Sequence, residues 1–245
     1  MTVARRLCAE ALGTAFLLAA VVGSGIMGER LANGNVAIAL LANTIATGAA
    51  LVALILAFGP ISGAHFNPAV SLCDAMLRGI SWKLFAGYTS AQVIGAFAGT
   101  ACAHLMFGLP AFSASQHIRS GGSQVFSEFV ATFGLLAVIW GVVRSRLTAV
   151  PFAVGAYITA AYWFTASTSF ANPAVTLARS VTNTFAGIRP ADAPGFIIAQ
   201  LLGAFAATVL FRWLVPSLPA DASSVLIPHE EAESKEHGHL DSVSG

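Results

Sequence analysis

Two short stretches carry residue types whose spacing points to chemistry: Gly63-Ala64-His65-Phe66-Asn67-Pro68-Ala69-Val70 and Ser169-Phe170-Ala171-Asn172-Pro173-Ala174-Val175. In each, Asn occupies a helix N-cap position and Pro the first helical position, because Asn can accept from orphan N–H groups and Pro has no N–H to lose there. An Asn that caps with its carbonyl oxygen still has amide N–H groups to present, so Asn67 and Asn172, with His65 beside the first, form a donor-rich contact for a passing water or hydroxyl. That chemistry is recognition, not bond-making. The other conspicuous groups are Glu10 and Glu128, each followed four residues on by Thr (Thr14, Thr132), both inside apolar runs. A carboxylate within a membrane span costs roughly 3 kcal/mol at the centre on insertion scales, so each needs internal partners. The loop amides ahead of the two Asn are the expected donors, which would make Glu10 and Glu128 structural braces.

The helix after Asn67 has room to run over residues 67–77, about 16 Å at 1.5 Å per residue, half of a bilayer core of roughly 30 Å. Two such half-helices entering from opposite faces, the second over 172–184, would meet at their N-termini and place two positive dipole ends at the membrane centre. The rest of the chain reads as a scaffold for that meeting. With 56% hydrophobic residues, 9% charged and a mean hydropathy of +0.77, the 245 residues have too little polar surface for a soluble domain. Apolar runs predict helices over 7–27, 36–58, 82–107, 125–143, 149–164 and 195–215. The first is too long for the apolar region of a signal peptide and should remain as a span. A polar connection occupies 108–124, and Pro60-Ile61-Ser62-Gly63 breaks the chain before the first half-helix. Irregular backbone at membrane depth must be buried or line a cavity, which makes that approach a candidate pore wall. The tail 216–245, with six acids and His229, His237 and His239, reads as disordered and solvated, not as a metal site.

Residue offsets expose a repeat. Glu10 and Thr14 recur 118 residues on, Asn67-Pro68-Ala69-Val70 recurs 105 on, and Ala91-Gln92-x-x-Gly95-Ala96-Phe97-Ala98 recurs 108 on as Ala199-Gln200-x-x-Gly203-Ala204-Phe205-Ala206. Each copy holds three spans and one half-helix, and an odd number of spans inverts the second copy in the membrane. The units are therefore 1–107, the loop 108–124, 125–215 and the tail. Arg5, Arg6, Arg78, Lys83, Arg144, Arg146 and Arg212 fall on one side, against Arg30, Arg119, Arg179 and Arg189 on the other, which places both termini in the cytoplasm. Cys8, Cys73 and Cys102 lie in apolar segments without metal-like spacing and read as small buried hydrophobes.

These residues resemble the aquaporin family of membrane channels: two Asn-Pro-Ala boxes on opposed half-helices, the Ser62-Gly63-Ala64-His65-Phe66-Asn67 approach, and Glu-x-x-x-Thr early in the first and fourth spans. The resemblance covers nearly all of 1–215. It implies an all-α integral membrane fold of six transmembrane helices plus two half-helices meeting at the midplane, one pore per monomer, and a homotetramer. It also implies a second constriction, usually with Arg directly after the second box. Here that position is Val175, the position commonly aromatic on the second span is Thr47, and the position three before Asn172 is Ser169. The fifth-span position falls among Ala160, Ala161 and Tyr162, of which Tyr162 is carried forward. Thr for an aromatic and Val for Arg leave a wider, less polar ring. The pattern is similar to bacterial aquaglyceroporins associated with arsenic resistance, and implies passage of water, glycerol and similar polyols, with urea and neutral metalloid hydroxides such as arsenite in the same range. Arg179, one turn past Val175, fits an outer vestibule or, preferably, a loop anchor.

A proton-coupled transporter built on the same inverted repeat is the alternative, with Glu10 and Glu128 as coupling groups. Their equivalent positions in the two repeats favour a shared structural role. No Ser, Cys or His grouping has an evident base or metal partner, so an enzyme is not expected, nor a cofactor, a metal or a nucleic-acid partner. The expected partners are the bilayer and small neutral solutes, and the expected location is the inner cell membrane.

Overall fold

The computed structural model describes residues 1–143 and 146–215. Arg144 and the tail 216–245, with its three histidines and six acids, lie outside the described residues. Among the described residues eight helices form in chain order: α1 (Val3–Leu31), α2 (Val36–Ser62), α3 (Pro68–Met76), α4 (Trp82–Met106), α5 (Gly122–Val143), α6 (Val150–Phe164), α7 (Pro173–Arg179) and α8 (Ala193–Leu214). Short 3-10 turns at Leu147–Ala149 and Pro190–Asp192 lead into α6 and α8. Five of the six long helices, α6 and α8 taken with these turns, are long and apolar enough to cross a membrane. The sixth, α4, has 25 residues, about 37 Å, its apolar run diluted by Gln92, Thr100 and His104.

Local chemistry sets the boundaries. Thr2, Asn35 and Ser81 cap α1, α2 and α4 by accepting from backbone N–H groups of the first turn. The break expected at Pro60 comes later: Pro60 sits inside α2, and the helix ends in a left-handed turn at Gly63 (φ 87°). A proline this near a helix end removes one N–H bond, and the glycine terminates the helix because it enters the left-handed region without a Cβ clash. The second half-helix is shorter than expected, seven residues instead of a run to 184. Its continuation is diverted into side-chain bonds: Ser180 Oγ donates to Leu177 O (2.7 Å), Thr182 Oγ1 bonds His104 Nε2 (2.6 Å), and Asn183 Oδ1 accepts from Gln116 N (2.9 Å). The polar connection ends at Gly121 and not at 124. It docks on the segment after α7, with Ser113 N on Val181 O and Ser115 N on Ser180 O, both 2.9 Å.

Small residues let the long helices touch. A Cβ on Gly95 or Gly99 of α4 would fall 2.1 or 2.0 Å from the Ala11 or Ala15 carbonyl of α1, and one on Gly203 of α8 would fall 2.4 Å from Phe129 O of α5. Gly95 and Gly203 are repeat equivalents, so α1/α4 and α5/α8 are the same contact in both halves. Gly48 and Gly155 make a similar approach between α2 and α6. The outer face is apolar, with Phe16, Ile45, Ile94, Phe126 and Trp213 exposed. One expectation fails here: Cys73 is buried, but Cys8 and Cys102 are exposed. Lipid tails are as apolar as the interior, so a thiol on this face has no reason to turn inward. The two half-helices lie inside the ring of long helices, buried along almost their whole length.

Candidate functional site

The site begins where α3 and α7 meet N-terminus to N-terminus. Asn67 Oδ1 accepts from Ala69 N (2.9 Å), and Asn172 Oδ1 from Ala174 N (3.0 Å) and Val175 N (3.2 Å), so each caps its own half-helix. Each amide nitrogen then crosses to the other repeat: Asn67 Nδ2 donates to Ala171 O (2.8 Å) and Asn172 Nδ2 to Phe66 O (2.7 Å). An amide nitrogen has two hydrogens, so one N–H of each Asn stitches the repeats together and one is left over. Both residues are buried and both border the same cavity.

The loops ahead of the two caps adopt one conformation. Ala64 and Phe66 have φ of 50° and 49°, and their repeat equivalents Ser169 and Ala171 both have φ of 48°. Left-handed φ in non-glycine residues costs roughly 1 kcal/mol or more each, so this backbone persists only where its polar groups are held. Glu10 Oε1 accepts from His65 N (3.0 Å) and Ser62 Oγ (2.6 Å), and its Oε2 from Phe66 N (2.7 Å) and Gln92 Nε2 (2.8 Å). Glu128 repeats the pattern on Phe170 N and Ala171 N, both 2.9 Å, and on Gln200 Nε2 (2.6 Å). Gln92 also donates to Ser71 Oγ and Gln200 to Thr176 Oγ1, fixing the half-helices one turn in. The two glutamines and the Ser71/Thr176 pair were not assigned roles from sequence, although Gln92 and Gln200 stand in the repeated Ala-Gln motif that would have found them.

A cavity runs along this junction. Thr47, Tyr162, Ser169 and Val175 all border it, as do His65, Asn67 and Asn172. Of the three fifth-span candidates only Tyr162 does so; Ala161 is fully buried and Ala160 exposed. Tyr162 Oη donates to Thr47 Oγ1 (3.3 Å), tying α6 to α2 across the wall. His65 Nδ1 bonds Ser71 Oγ (2.9 Å), and its Nε2 stands 3.7 Å from Asp74 Oδ2, too far for a hydrogen bond. Asp74, which sequence reading did not single out, is fully buried, and neither carboxyl oxygen has a partner among the described residues.

Comparison with known proteins now bears on the site. The family model described as major intrinsic protein matches residues 1–149 and, a second time, residues 143–239. The chain belongs to the major intrinsic protein family. The chain is 61% identical over 216 residues to aquaglyceroporin AqpS of Rhizobium meliloti (strain 1021), covering 88% of this chain and 92% of that relative. Aquaporin NIP1-1 of Oryza sativa subsp. japonica is 37% identical over 144 residues, which span 48% of its length. A solved aquaglyceroporin from Plasmodium falciparum superposes with a TM-score of 0.67 at 20% identity, covering 89% of this chain and 99% of that one, a likeness of fold. As a member of the major intrinsic protein family, the protein is a multi-pass membrane channel and not an enzyme.

Two arginines stand against the ring of Phe170, a residue that borders the cavity. Arg119, in the connection after α4, donates to Gly187 O (2.8 Å) and Ser167 O (3.1 Å) and lies 5.0 Å from the Phe170 ring centroid. Burial lowers its pKa to about 10, which leaves it charged at neutral pH. Arg179 is buried and stacks on the same ring with its Cζ 3.3 Å from the centroid. Its Nε donates to Ala186 O, so it does tie a loop, but it also borders the cavity.

Proposed function

We propose that the protein passes small neutral solutes by passive diffusion through the junction of α3 and α7. The solute class is water, glycerol and similar polyols, with urea and neutral metalloid hydroxides such as arsenite of the same size. The observation that carries this reading is the crossed Asn67/Asn172 pair bordering a cavity at the joint of two half-helices. One unused amide N–H from each Asn meets only the oxygen of a passing molecule, and the converging helix N-termini raise the energy of protons and cations there. His65 borders the same cavity, while its ring is buried with Nδ1 on Ser71 Oγ and Nε2 beside Asp74.

Outward of this point, Thr47, Tyr162, Ser169 and Val175 form the filter in this reading. Ser169 borders the cavity, and its buried Oγ has no partner among the described residues. Glu10 and Glu128 serve as braces, since their oxygens are engaged by loop amides in both repeats. That engagement argues against Glu10 and Glu128 as proton-coupling groups, which must be free to change partners. The name of the Rhizobium meliloti relative, an aquaglyceroporin, supports polyol passage. The reading further places the protein as a homotetramer in the inner membrane with both termini cytoplasmic.

Asn67→Asp tests the junction. It replaces the donor to Ala171 O by an acceptor and sets two oxygens against each other, so glycerol flux into proteoliposomes should collapse while oligomer assembly persists. Unchanged flux from an assembled variant would remove the junction from the conducting path.

A further inference from the structure

The filter described above has no cation directly after the second box, because Val175 stands there. Arg179 lies four residues on, hence on the same face of α7 one turn further from the junction. Long helical side chains lean back toward the N-terminus, and Arg179 does so: its guanidinium rests on Phe170, two residues before Asn172. The charge is thus carried back toward the level of Val175 and Ser169, which border the same cavity.

Four further observations separate this arginine from an ordinary loop anchor. Among the described residues only its Nε has a hydrogen-bond partner, the Ala186 carbonyl, leaving Nη1 and Nη2 without one. Its neighbour Arg119 differs, since its donors go to Gly187 O, Ser167 O and Thr168 Oγ1 and it is not a wall of the cavity. No carboxylate pairs with Arg179 among the described residues; the nearby Glu128 is engaged by loop amides and Gln200. The repeat equivalent of Arg179, 105 residues earlier, is Asp74, so the fold itself does not require a cation at this place.

We infer that Arg179 is a specificity-determining residue of the conduit, supplying from one turn away the cation and the paired donors that Val175 lacks. The terminal nitrogens of a guanidinium form a flat donor fork without acceptors, which matches adjacent oxygens on a polyol or a neutral metalloid hydroxide. Its fixed charge in a narrow, poorly screened passage repels cations. Phe170 and the Ala186 carbonyl position it. This inference rests on the channel reading above.

The test uses full-length protein in proteoliposomes, with glycerol and water permeability from stopped-flow light scattering and K⁺ leak from a potential-sensitive dye. Wild-type protein is measured first against protein-free vesicles; no added glycerol permeability there would overturn the channel reading itself. Arg179→Met keeps length and apolar contact with Phe170 but removes charge and donors. It should raise K⁺ leak roughly tenfold or more and lower the glycerol-to-water ratio at least threefold. Arg179→Lys keeps the charge without the fork, so leak should stay near wild type while the ratio still falls. An Arg179→Met variant that assembles with both quantities unchanged overturns the inference, and a change in leak alone overturns the donor role. If the Met variant does not assemble, Arg179→Lys decides: a ratio equal to wild type overturns the inference.

Discussion

Replacing Glu10 by Leu and by Gln separates a brace from a space-filler. Glu10 accepts four hydrogen bonds, from Ser62 Oγ, His65 N, Phe66 N and Gln92 Nε2. Ser62 and Gln92 have alternatives, since the Ser62 hydroxyl can rotate its O–H and Gln92 Nε2 also donates to Ser71 Oγ. The two loop amides have no such alternative, because left-handed φ at Ala64 and Phe66 turns them toward α1. Leu therefore orphans two buried backbone N–H groups at about 1–3 kcal/mol each, roughly 2–6 kcal/mol in all. Gln keeps one acceptor oxygen but turns its own NH₂ toward remaining donors, so it orphans one amide, at about 1–3 kcal/mol. At about 2–4 °C per kcal/mol for a chain of this size, the one further orphaned amide should make Glu10→Leu melt about 2–12 °C below Glu10→Gln, itself below wild type. Thermal unfolding of purified protein in one detergent, followed by intrinsic fluorescence, reads this. Glu128→Leu and Glu128→Gln should show the same order, through Phe170 N and Ala171 N. Equal melting points for the Leu and Gln variants at either position would refute the reasoning.

Other outcomes follow from the same geometry. Val175→Arg adds bulk and donors beside Ser169 and Tyr162, and should lower glycerol permeability more than water permeability in stopped-flow measurements; a ratio that holds or rises would take Val175 out of the filter. Gly99→Val would drive a side chain into the Ala15 carbonyl, where a Cβ already falls at 2.0 Å. Backbone cannot yield as a side-chain tip can, so the variant should lose about 2 kcal/mol or more, seen as poor yield and a lower melting point. His117, in the loop before α5, has its pKa lowered by partial burial and then by Arg119 and Arg179. A histidine held below its usual value near 6.5 binds fewer protons folded than unfolded, so its contribution to stability is present above that pH and lost as pH falls below it. Melting points measured from pH 7.5 to 5 should therefore drop less steeply in His117→Gln than in wild type.

The sequence reached the half-helix starts and the carboxylates because both rest on local or repeated signals: Asn before Pro is a helix start, and equal offsets tie Glu10 to Glu128 and Asn67 to Asn172. Element ends were less accessible. The stop of α2 at Gly63 depends on a left-handed turn beyond Pro60, and α7 stops at Arg179 because Ser180, Thr182 and Asn183 find partners in other segments. The choice among Ala160, Ala161 and Tyr162 turns on which face of α6 meets the cavity, and α6 is apolar all round, so no periodicity marks it. The Phe170 ring beneath Arg179 and the position of Asp74 beside His65 arise from tertiary packing. The offset of 105 nevertheless pairs Asp74 with Arg179 in sequence, a signal that was readable and was not used. Cysteine burial was misjudged because an apolar residue in a membrane protein has two apolar directions to face.

Passive passage through a fixed junction is most directly tested by glycerol flux under imposed proton gradients. Proteoliposomes of the full chain are loaded at one pH, diluted into buffers that give inward, outward or zero proton gradients, and followed by light scattering at equal osmotic steps. A channel in which Glu10 and Glu128 are engaged by loop amides predicts one glycerol permeability under all three gradients, linear in solute difference, with no accumulation beyond equilibrium. A rate that follows the proton gradient, or glycerol concentrated against its own gradient, would contradict the account and restore Glu10 and Glu128 as coupling groups.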